Sequence, residues 1–218
     1  MLNVIMIGPQ GSGKGTQSEL LSERLGLPMV SVGQLLRAET DRQTGLGREI
    51  DRYLKSGELV PSDIIRHVIK DRLGDQDTDQ GVVLDGYPRT VEQAETLDEI
   101  MTGLNRHVTH AIYLDISDET AVNRISGRRV CSNHRCGLNY HATLNPPKRE
   151  GVCDSCGHAL TVREDDNPEA IRQRLSLFHE KSQPLADYYE RRGILHRFDG
   201  NKEIADVSRD ILGILRDR

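Results

Sequence analysis

Residues 8–16 read GPQGSGKGT, a glycine-rich run with one lysine that predicts a phosphate-binding loop. The glycines allow backbone conformations that are closed to other residues, and they bring several N–H groups close to one anion. Lys14 supplies a mobile positive charge for the outer phosphates of a nucleotide. The hydroxyl that usually follows this lysine is replaced by Gly15 and comes one place later, at Thr16. The alternative is a glycine-rich turn that binds nothing, and the elements on either side argue against it.

Asp85 belongs to a second informative stretch, residues 81–90, which read GVVLDGYPRT. Apolar residues followed by an acid predict a buried parallel strand whose carboxylate emerges at the carboxyl-terminal edge of a sheet. Because ligands of such sheets bind at that edge, Asp85 is a candidate to hold magnesium or its water shell. The alternative is an aspartate that caps a helix or a turn.

The cysteines of the chain cluster at Cys131, Cys136, Cys153 and Cys156. This clustering predicts one tetrahedral zinc, which is structural because four protein ligands leave no open position. The first pair is five residues apart, where about three is more usual, and His134 between them is the alternative ligand. Four reduced, partly buried thiols are the other alternative. A redox pair is not favoured, because no thioredoxin-like context surrounds these cysteines.

The elements that position these candidate site residues are predicted to be strands and helices that alternate along the chain. Short apolar runs predict strands at residues 2–7, 28–32, 82–85, 111–115 and 194–199. Apolar residues at helical spacing predict helices at residues 17–25, 34–56 in short pieces, 64–73, 91–101, 119–126, 169–191 and 204–215. Ser62 or Asp63 is expected to cap the helix at 64–73. Residues 130–166 predict an insertion of turns and β-hairpins. The alternation predicts an α/β fold, a parallel sheet with flanking helices.

Bulk composition excludes several classes of protein. A length of 218 residues allows one large domain or a core with insertions, and the formal net charge of −5 argues against a nucleic-acid partner. No apolar run approaches the roughly 20 residues that span a bilayer, so no membrane partner is expected. The first apolar run has no basic region before it and no cleavage site after it. We therefore expect a cytoplasmic protein.

Five motifs occur in order along the chain, at residues 8–16, 35–37, 84–90, 127–129 and 163–166. Together they resemble the nucleoside monophosphate kinases, specifically the long form of adenylate kinase, over essentially the whole chain. The resemblance implies a P-loop nucleotide kinase with inserted monophosphate-binding and LID domains. The implied boundaries are a core at 1–30, 61–126 and 167–218, a monophosphate-binding domain at 31–60 and a LID at 127–166.

The activity that the resemblance implies is reversible phosphoryl transfer from MgATP to AMP, giving two ADP, by a monomer. The acceptor phosphate is already an oxyanion, so the site must supply positioning and charge neutralisation rather than a base. Arginines suit this task because their fork geometry matches phosphate oxygens. The LID is expected to close over both nucleotides, about hinges near Gly127 and Pro168, because water would otherwise compete for the phosphoryl group.

The resemblance also implies site residues. Those for ATP are Gly11, Ser12, Gly13, Lys14, Gly15, Thr16, Arg124, Arg128 and Lys202. Those for AMP are Val32, Arg37, Leu59, Val60, Gly86, Arg89, Gln93, Arg163 and Arg174. Those implied in the transfer itself are Lys14, Arg89, Arg128, Arg163 and Arg174, with Asp85 holding magnesium through water. For any single arginine the alternative is a solvated surface charge.

Two residues depart from the family pattern. The family commonly carries Ser-Thr-Gly-Asp where this chain reads Ser31-Val32-Gly33-Gln34. The hydroxyl lost at Val32 and the acid lost at Gln34 predict softer selectivity for AMP. A kinase for UMP or CMP is therefore the first alternative, and the long cysteine-bearing insertion counts against it. A nucleotide-dependent zinc-ribbon binding module is the second alternative, and the acidic net charge counts against it.

Overall fold

The structure is a computed structural model that describes residues 1–134, 136–163 and 166–216, apart from the side chain of Ser182. Glu164 and Asp165, which belong to the fifth sequence motif, lie outside the described residues. The strands are β1 (Leu2–Ile7), β2 (Met29–Ser31), β3 (Gly81–Asp85), β4 (His110–Asp115), β5 (Arg128–Cys131), β6 (Asn139–His141), β7 (Leu160–Thr161) and β8 (Leu195–Asp199). The α-helices are α1 (Lys14–Leu25), α2 (Val32–Thr40), α3 (Gly45–Ser56), α4 (Ser62–Leu73), α5 (Val91–Gly103), α6 (Asp118–Ser126), α7 (Pro168–Glu190) and α8 (Ile204–Arg216).

A parallel sheet with the strand order β2-β3-β1-β4-β8 forms the centre of the molecule, and helices pack on both of its faces. The sequence of strand β1 explains why both faces of the sheet are covered. Its residues Val4 and Met6 enter the apolar cluster on one face of the sheet, whereas Ile5 and Ile7 enter the cluster on the other. A strand buried on both faces requires a continuous apolar run rather than an alternating one. The predicted α/β class, a parallel sheet with flanking helices, is confirmed.

Two segments are inserted between the elements of this core, and the buried residues Leu36 and Ile50 of the first belong to the main apolar cluster. Helices α2 and α3 lie in residues 31–60, here called the arm, and follow β2 directly. Residues 127–166, here called the LID, hold a separate antiparallel sheet with the strand order β6-β5-β7. The LID sheet has a small apolar cluster of its own, centred on Cys131, Tyr140 and Cys153.

Two local expectations were wrong. Val32 was assigned to the second strand, but β2 ends at Ser31, which adopts an extended conformation as the N-cap of α2. Neither Ser62 nor Asp63 caps α4, because the N-cap is Pro61, whose carbonyl accepts the first helical bond from the amide of Ile65 at 3.2 Å. The acid at position 63 therefore lies within the first turn, where it complements the helix dipole.

None of the helices in the described part of the chain combines the length and the hydropathy that a membrane-spanning helix requires.

Candidate active site

A cavity of about 440 Å³ opens at the carboxyl-terminal edge of the parallel sheet, between the arm and the LID. Ligands of parallel α/β sheets bind at this edge. Its lining includes every residue that the sequence predicted for ATP, AMP and magnesium, although those residues are spread from Gly11 to Lys202. The fold therefore brings the predicted nucleotide residues to one place.

The phosphate loop lies between β1 and α1. Helix α1 begins at Lys14, directly after Gly13, whose φ of 92° lies in the left-handed region that favours glycine. The first backbone amides of a helix have no acceptor within that helix, and they face the positive end of its dipole. The hydroxyl of Ser12 is buried and has no hydrogen-bond partner within the described ranges. The loop thus offers donors to an anion.

Lys14 is turned back over its own loop. Its Nζ donates to the carbonyl oxygens of Gly8 at 2.7 Å and Pro9 at 2.8 Å. Burial lowers the pKa of Lys14 to about 8, with a smaller lowering from the charges of Arg89 and Arg128, while Asp85 opposes the shift. A buried cation among other cations is stabilised by bound phosphate, because opposite charge favours the ionised amine.

Arg128 joins the LID to the phosphate loop. Its Nε donates to Asp166 Oδ2 at 2.9 Å, and its second contact with the same carboxylate makes the pair bidentate. Asp166 is almost fully buried, and its Oδ1 also accepts from Gln10 Nε2 at 3.2 Å. The carboxylate of Asp166, which lies just before α7, therefore links the start of β5 to the phosphate loop.

The other arginines predicted for phosphoryl transfer donate to neutral oxygens. Arg89 Nε donates to the Gly86 carbonyl at 3.0 Å, and Arg174 donates from α7 to the Leu54 carbonyl in the arm at 3.1 Å. Arg163 donates to Asn139 Oδ1 in β6 at 2.8 Å. All three guanidinium groups line the cavity. These contacts hold the three guanidinium groups where a phosphate in the cavity could accept from them.

Arg124 and Lys202 lie at the end of the cavity that the sequence assigns to ATP. Arg124 donates from α6 to the Gly200 carbonyl at 2.9 Å, which fixes the loop between β8 and α8. Lys202 in that loop pairs with Asp210 of α8 at 3.2 Å. Both residues line the cavity, and Arg124 also lies 3.5 Å from the Gly11 carbonyl of the phosphate loop.

Val32, Val60 and Gln93 lie at the end assigned to AMP. Val32 begins α2, and both valines are buried, so that this wall of the cavity is apolar. The Oε1 atom of Gln93 accepts from the backbone amide of Arg89 at 2.8 Å. The oxygen of this amide is therefore engaged within the protein, and recognition of a base would fall to Nε2.

Asp85 ends β3, beside the phosphate loop. Ser31 at the end of the neighbouring strand β2 contacts it, with its hydroxyl 3.3 Å from Asp85 Oδ2. Asp85 therefore does not cap a helix, and its position at the carboxyl edge is the one that the sequence predicted. Carboxylate and water oxygens suit Mg²⁺.

The four cysteines come together in the LID. Their sulfur atoms all lie within 4.8 Å of one another, and Cys131 and Cys156 are 3.3 Å apart. Thiolates at about 2.3 Å from one tetrahedral zinc would be about 3.8 Å apart, so the donor set fits that metal. His134 points elsewhere, with its Nδ1 2.8 Å from Asp41 in the arm.

The wide first spacing has a local explanation. The amides of Cys136 and Gly137 both donate to the carbonyl of Asn133, at 3.0 and 2.9 Å. The tight turn therefore starts at Asn133, and the residues between it and Cys131 only extend the approach from β5.

Sequence analysis missed two polar residues beside the phosphate loop. Asn139 lines the cavity, and its Nδ2 lies 3.5 Å from where a Cβ at Gly15 would stand. Glu19 follows one turn later on α1, and burial raises its pKa to about 7, against hydrogen bonds from Asn139 that lower it. The alternation of residues 138–140 indicated a strand, but nothing in the sequence said which element its polar face would meet.

A glycine-rich phosphate loop at the edge of a parallel sheet, facing a ring of arginines, defines a P-loop phosphotransferase. The family model for adenylate kinase matches residues 6–194. The adenylate kinase of Staphylococcus aureus is 42% identical over 214 residues, which cover 98% of this chain and 99% of that protein. The adenylate kinases of Caldicellulosiruptor bescii and Caldicellulosiruptor saccharolyticus are 42% and 41% identical over the same shares of both chains.

The chain belongs to the adenylate kinase family. This membership confirms the predictions of a nucleotide kinase and of phosphoryl transfer from ATP to AMP, with magnesium accompanying ATP. It does not favour the alternatives of a UMP or CMP kinase and of a zinc-ribbon binding module.

Glu19 generates a prediction about stability in the protein without nucleotide. An acid whose pKa is raised by folding stabilises the protein below its unfolded value of about 4.5, and this contribution is lost as the pH rises through about 7. The Glu19→Gln variant should therefore melt higher than wild type at pH 8, with the difference shrinking toward pH 5. Thermal melts across this range measure it.

The matched control is Glu23→Gln, which removes the same charge from an exposed position one turn later on α1. It should leave the pH dependence of wild type largely unchanged. A Glu19→Gln variant whose melting temperature follows that of wild type at every pH would contradict the prediction.

Proposed function

We propose that this enzyme transfers the γ-phosphoryl group of MgATP to AMP with the residues that line the cavity between the arm and the LID. The observation that carries the proposal is the convergence of the phosphate loop, Asp85 and the predicted arginines on one cavity. ATP would occupy the end bordered by Arg124 and Lys202, and AMP the end bordered by Val32 and Gln93.

Charge neutralisation would provide most of the rate enhancement. Lys14 would leave the carbonyl oxygens of Gly8 and Pro9 to bind the β- and γ-phosphates, and Arg128 and Arg163 would surround the transferred group. Electrostatic stabilisation of this kind costs nothing at the moment of reaction when its donors are already in place. Magnesium, held through water by Asp85, would neutralise further phosphate charge.

The acceptor needs no catalytic base, because the AMP phosphate is already an oxyanion. Arg37 and Arg89 would grip this phosphate, and Arg174 would tie it to the transferred group. The backbone of Leu59 and Val60 in the arm and the Nε2 group of Gln93 in α5 would contact the base. In-line geometry is then set by holding both nucleotides in the cavity.

The proposed domain boundaries separate the segments according to these roles. We infer a core at 1–30, 61–126 and 167–218, a monophosphate-binding domain at 31–60 and a LID at 127–166. The separate antiparallel sheet of residues 128–161 supports a LID that moves as a unit. We also infer that the enzyme is a cytoplasmic monomer with no nucleic-acid or membrane partner, as the resemblance implies.

Zinc is proposed as a structural metal of the LID, held by Cys131, Cys136, Cys153 and Cys156. The LID cluster has few apolar side chains, so a metal would supply the stability that packing cannot. Burial raises the pKa of the Cys131 thiol, which opposes the thiolate form that a metal would restore.

Acceptor selectivity is the first test. A coupled assay of ADP formation should find AMP the best acceptor, with measurable turnover of CMP, UMP or GMP, because Val32 presents a buried apolar wall to the base. Val32→Thr should sharpen the preference for AMP roughly tenfold, since a polar contact adds discrimination. Complete rejection of the other monophosphates by wild type, or an unchanged preference in the variant, would contradict this.

Lys14→Ala should lower kcat about a hundredfold or more, because the side chain contributes charge to the phosphates rather than packing. Circular dichroism should show an unchanged fold, and the same ADP assay measures the loss. Lys202→Ala is a matched control, since it removes an exposed lysine at the ATP end of the cavity and should cost much less. Near-normal turnover of Lys14→Ala would refute the assigned role.

Metal analysis should find one zinc per chain. Cys153→Ser should lower the melting temperature by roughly 10 °C, an effect on stability larger than that on the chemistry. His134→Ala should keep the metal, because the His134 ring faces Asp41 rather than the sulfur atoms. Loss of zinc from His134→Ala with retention in Cys131→Ser would show that the ligand set is wrong.

A further inference from the structure

The carbonyl oxygen of Gly137 joins the arm to the LID. Gln34 Nε2, from α2 in the arm, donates to this oxygen at 3.1 Å. Asn139 Nδ2, from β6 in the LID, approaches the same oxygen at 3.3 Å. A carbonyl has two lone pairs and can accept both. Donors from two different segments therefore meet at one backbone atom.

Asn139 continues the connection to Arg163. Its Oδ1 accepts from Arg163 NH2 at 2.8 Å. A guanidinium can only donate, so the oxygen of the amide must face Arg163 and the nitrogen must face an acceptor. The Gly137 carbonyl is one such acceptor, and the carboxyl group of Glu19, which also receives hydrogen bonds from Asn139, is another. The orientation of this side-chain amide thus depends in part on a backbone oxygen that Gln34 contacts.

We propose that Gln34 is a positioning residue for phosphoryl transfer, acting through the Gly137 carbonyl and Asn139 to hold the guanidinium of Arg163 at the cavity. The inference rests on the proposed function of Arg163 and adds to it the residues that fix this arginine. It also gives a reason for one departure from the family pattern, the amide at position 34.

The chemistry of the contact requires an amide. A carboxylate at position 34 would set two acceptors against the carbonyl oxygen of Gly137, with no hydrogen between them. The contact also requires a glycine at its other end. Gly137 has a φ of 60°, and a Cβ there would stand 2.2 Å from Gln34 Nε2. Gln34 and Gly137 are therefore matched in shape and in hydrogen bonding.

A second contact between the same two segments provides a control. His134 Nδ1 lies 2.8 Å from Asp41 Oδ2, and the Asp41 side chain is 56% exposed. This pair joins the LID to α2, as Gln34 does, but it involves neither Asn139 nor Arg163. Its loss weakens the approach of arm and LID without disturbing the amide that holds the arginine.

The test uses the full-length, zinc-loaded enzyme and the ADP-forming assay with ATP and AMP. Gln34→Glu keeps the size of the side chain and removes its donor, so kcat should fall roughly tenfold while both KM values change less. Gln34→Met, which has similar length and no charge, should show a smaller loss of kcat. Asp41→Asn should change kcat less than about twofold. Thermal melts of all three variants should match wild type.

A double-mutant cycle separates positioning from general closure. In the Asn139→Ala background, where the link to Arg163 is already cut, Gln34→Glu should cost little further kcat. Additive losses, a wild-type kcat in Gln34→Glu, or equal losses in Gln34→Glu and Asp41→Asn would overturn the inference.

Arg163→Lys distinguishes this failure from failure of the proposed function. If Arg163→Lys retains normal kcat, the role of Arg163 itself is wrong, and the inference falls with it. If Arg163→Lys is impaired and Gln34→Glu is not, the role of Arg163 stands and only the positioning by Gln34 is overturned.

Discussion

Repulsion between like charges is the constraint on which the rest of the structure depends. A chain of net charge −5 gathers Lys14, Arg89, Arg128, Arg163 and Arg174 around one cavity. A buried carboxylate holds Arg128, and hydrogen bonds to carbonyl or amide oxygens help to hold the others. Burial is the main cause of the lowered pKa of Lys14, and the nearby charges of Arg89 and Arg128 lower it further. The phosphates of ATP and AMP would bring negative charge into this cavity.

The oxygens that accept hydrogen bonds from Arg163 and Arg174 belong to different segments of the chain. Arg174 reaches from α7 to the arm, and Arg163 is tied to the LID sheet. Each of these cations is thus joined to the arm or to the LID. A nucleotide that bound both cations would favour an arrangement in which the arm and the LID lie close together.

Sequence patterns predicted the fold because they reflect forces that act locally. The continuous apolar run before Asp85 predicted a buried strand and the glycines before Lys14 predicted a tight loop, and the parallel sheet places both at the same edge. Cap identity at Pro61 was misjudged because it depends on where one carbonyl points. Asn139 and Glu19 were missed because they are 120 positions apart in the sequence. A hydrogen bond between residues so far apart along the chain leaves no periodic pattern in the sequence.

The turn that begins at Asn133 takes part in two contacts at once, one within the cysteine cluster and one with the arm. Cys131 and Cys136 carry two of the four clustered sulfur atoms, and Gly137 carries the carbonyl that accepts from Gln34. The path of this turn is therefore constrained by the cluster of four cysteines on one side and by the arm on the other. A change in the cysteine cluster would shift the carbonyl that Gln34 contacts, so one backbone atom links the proposed metal site to the arm.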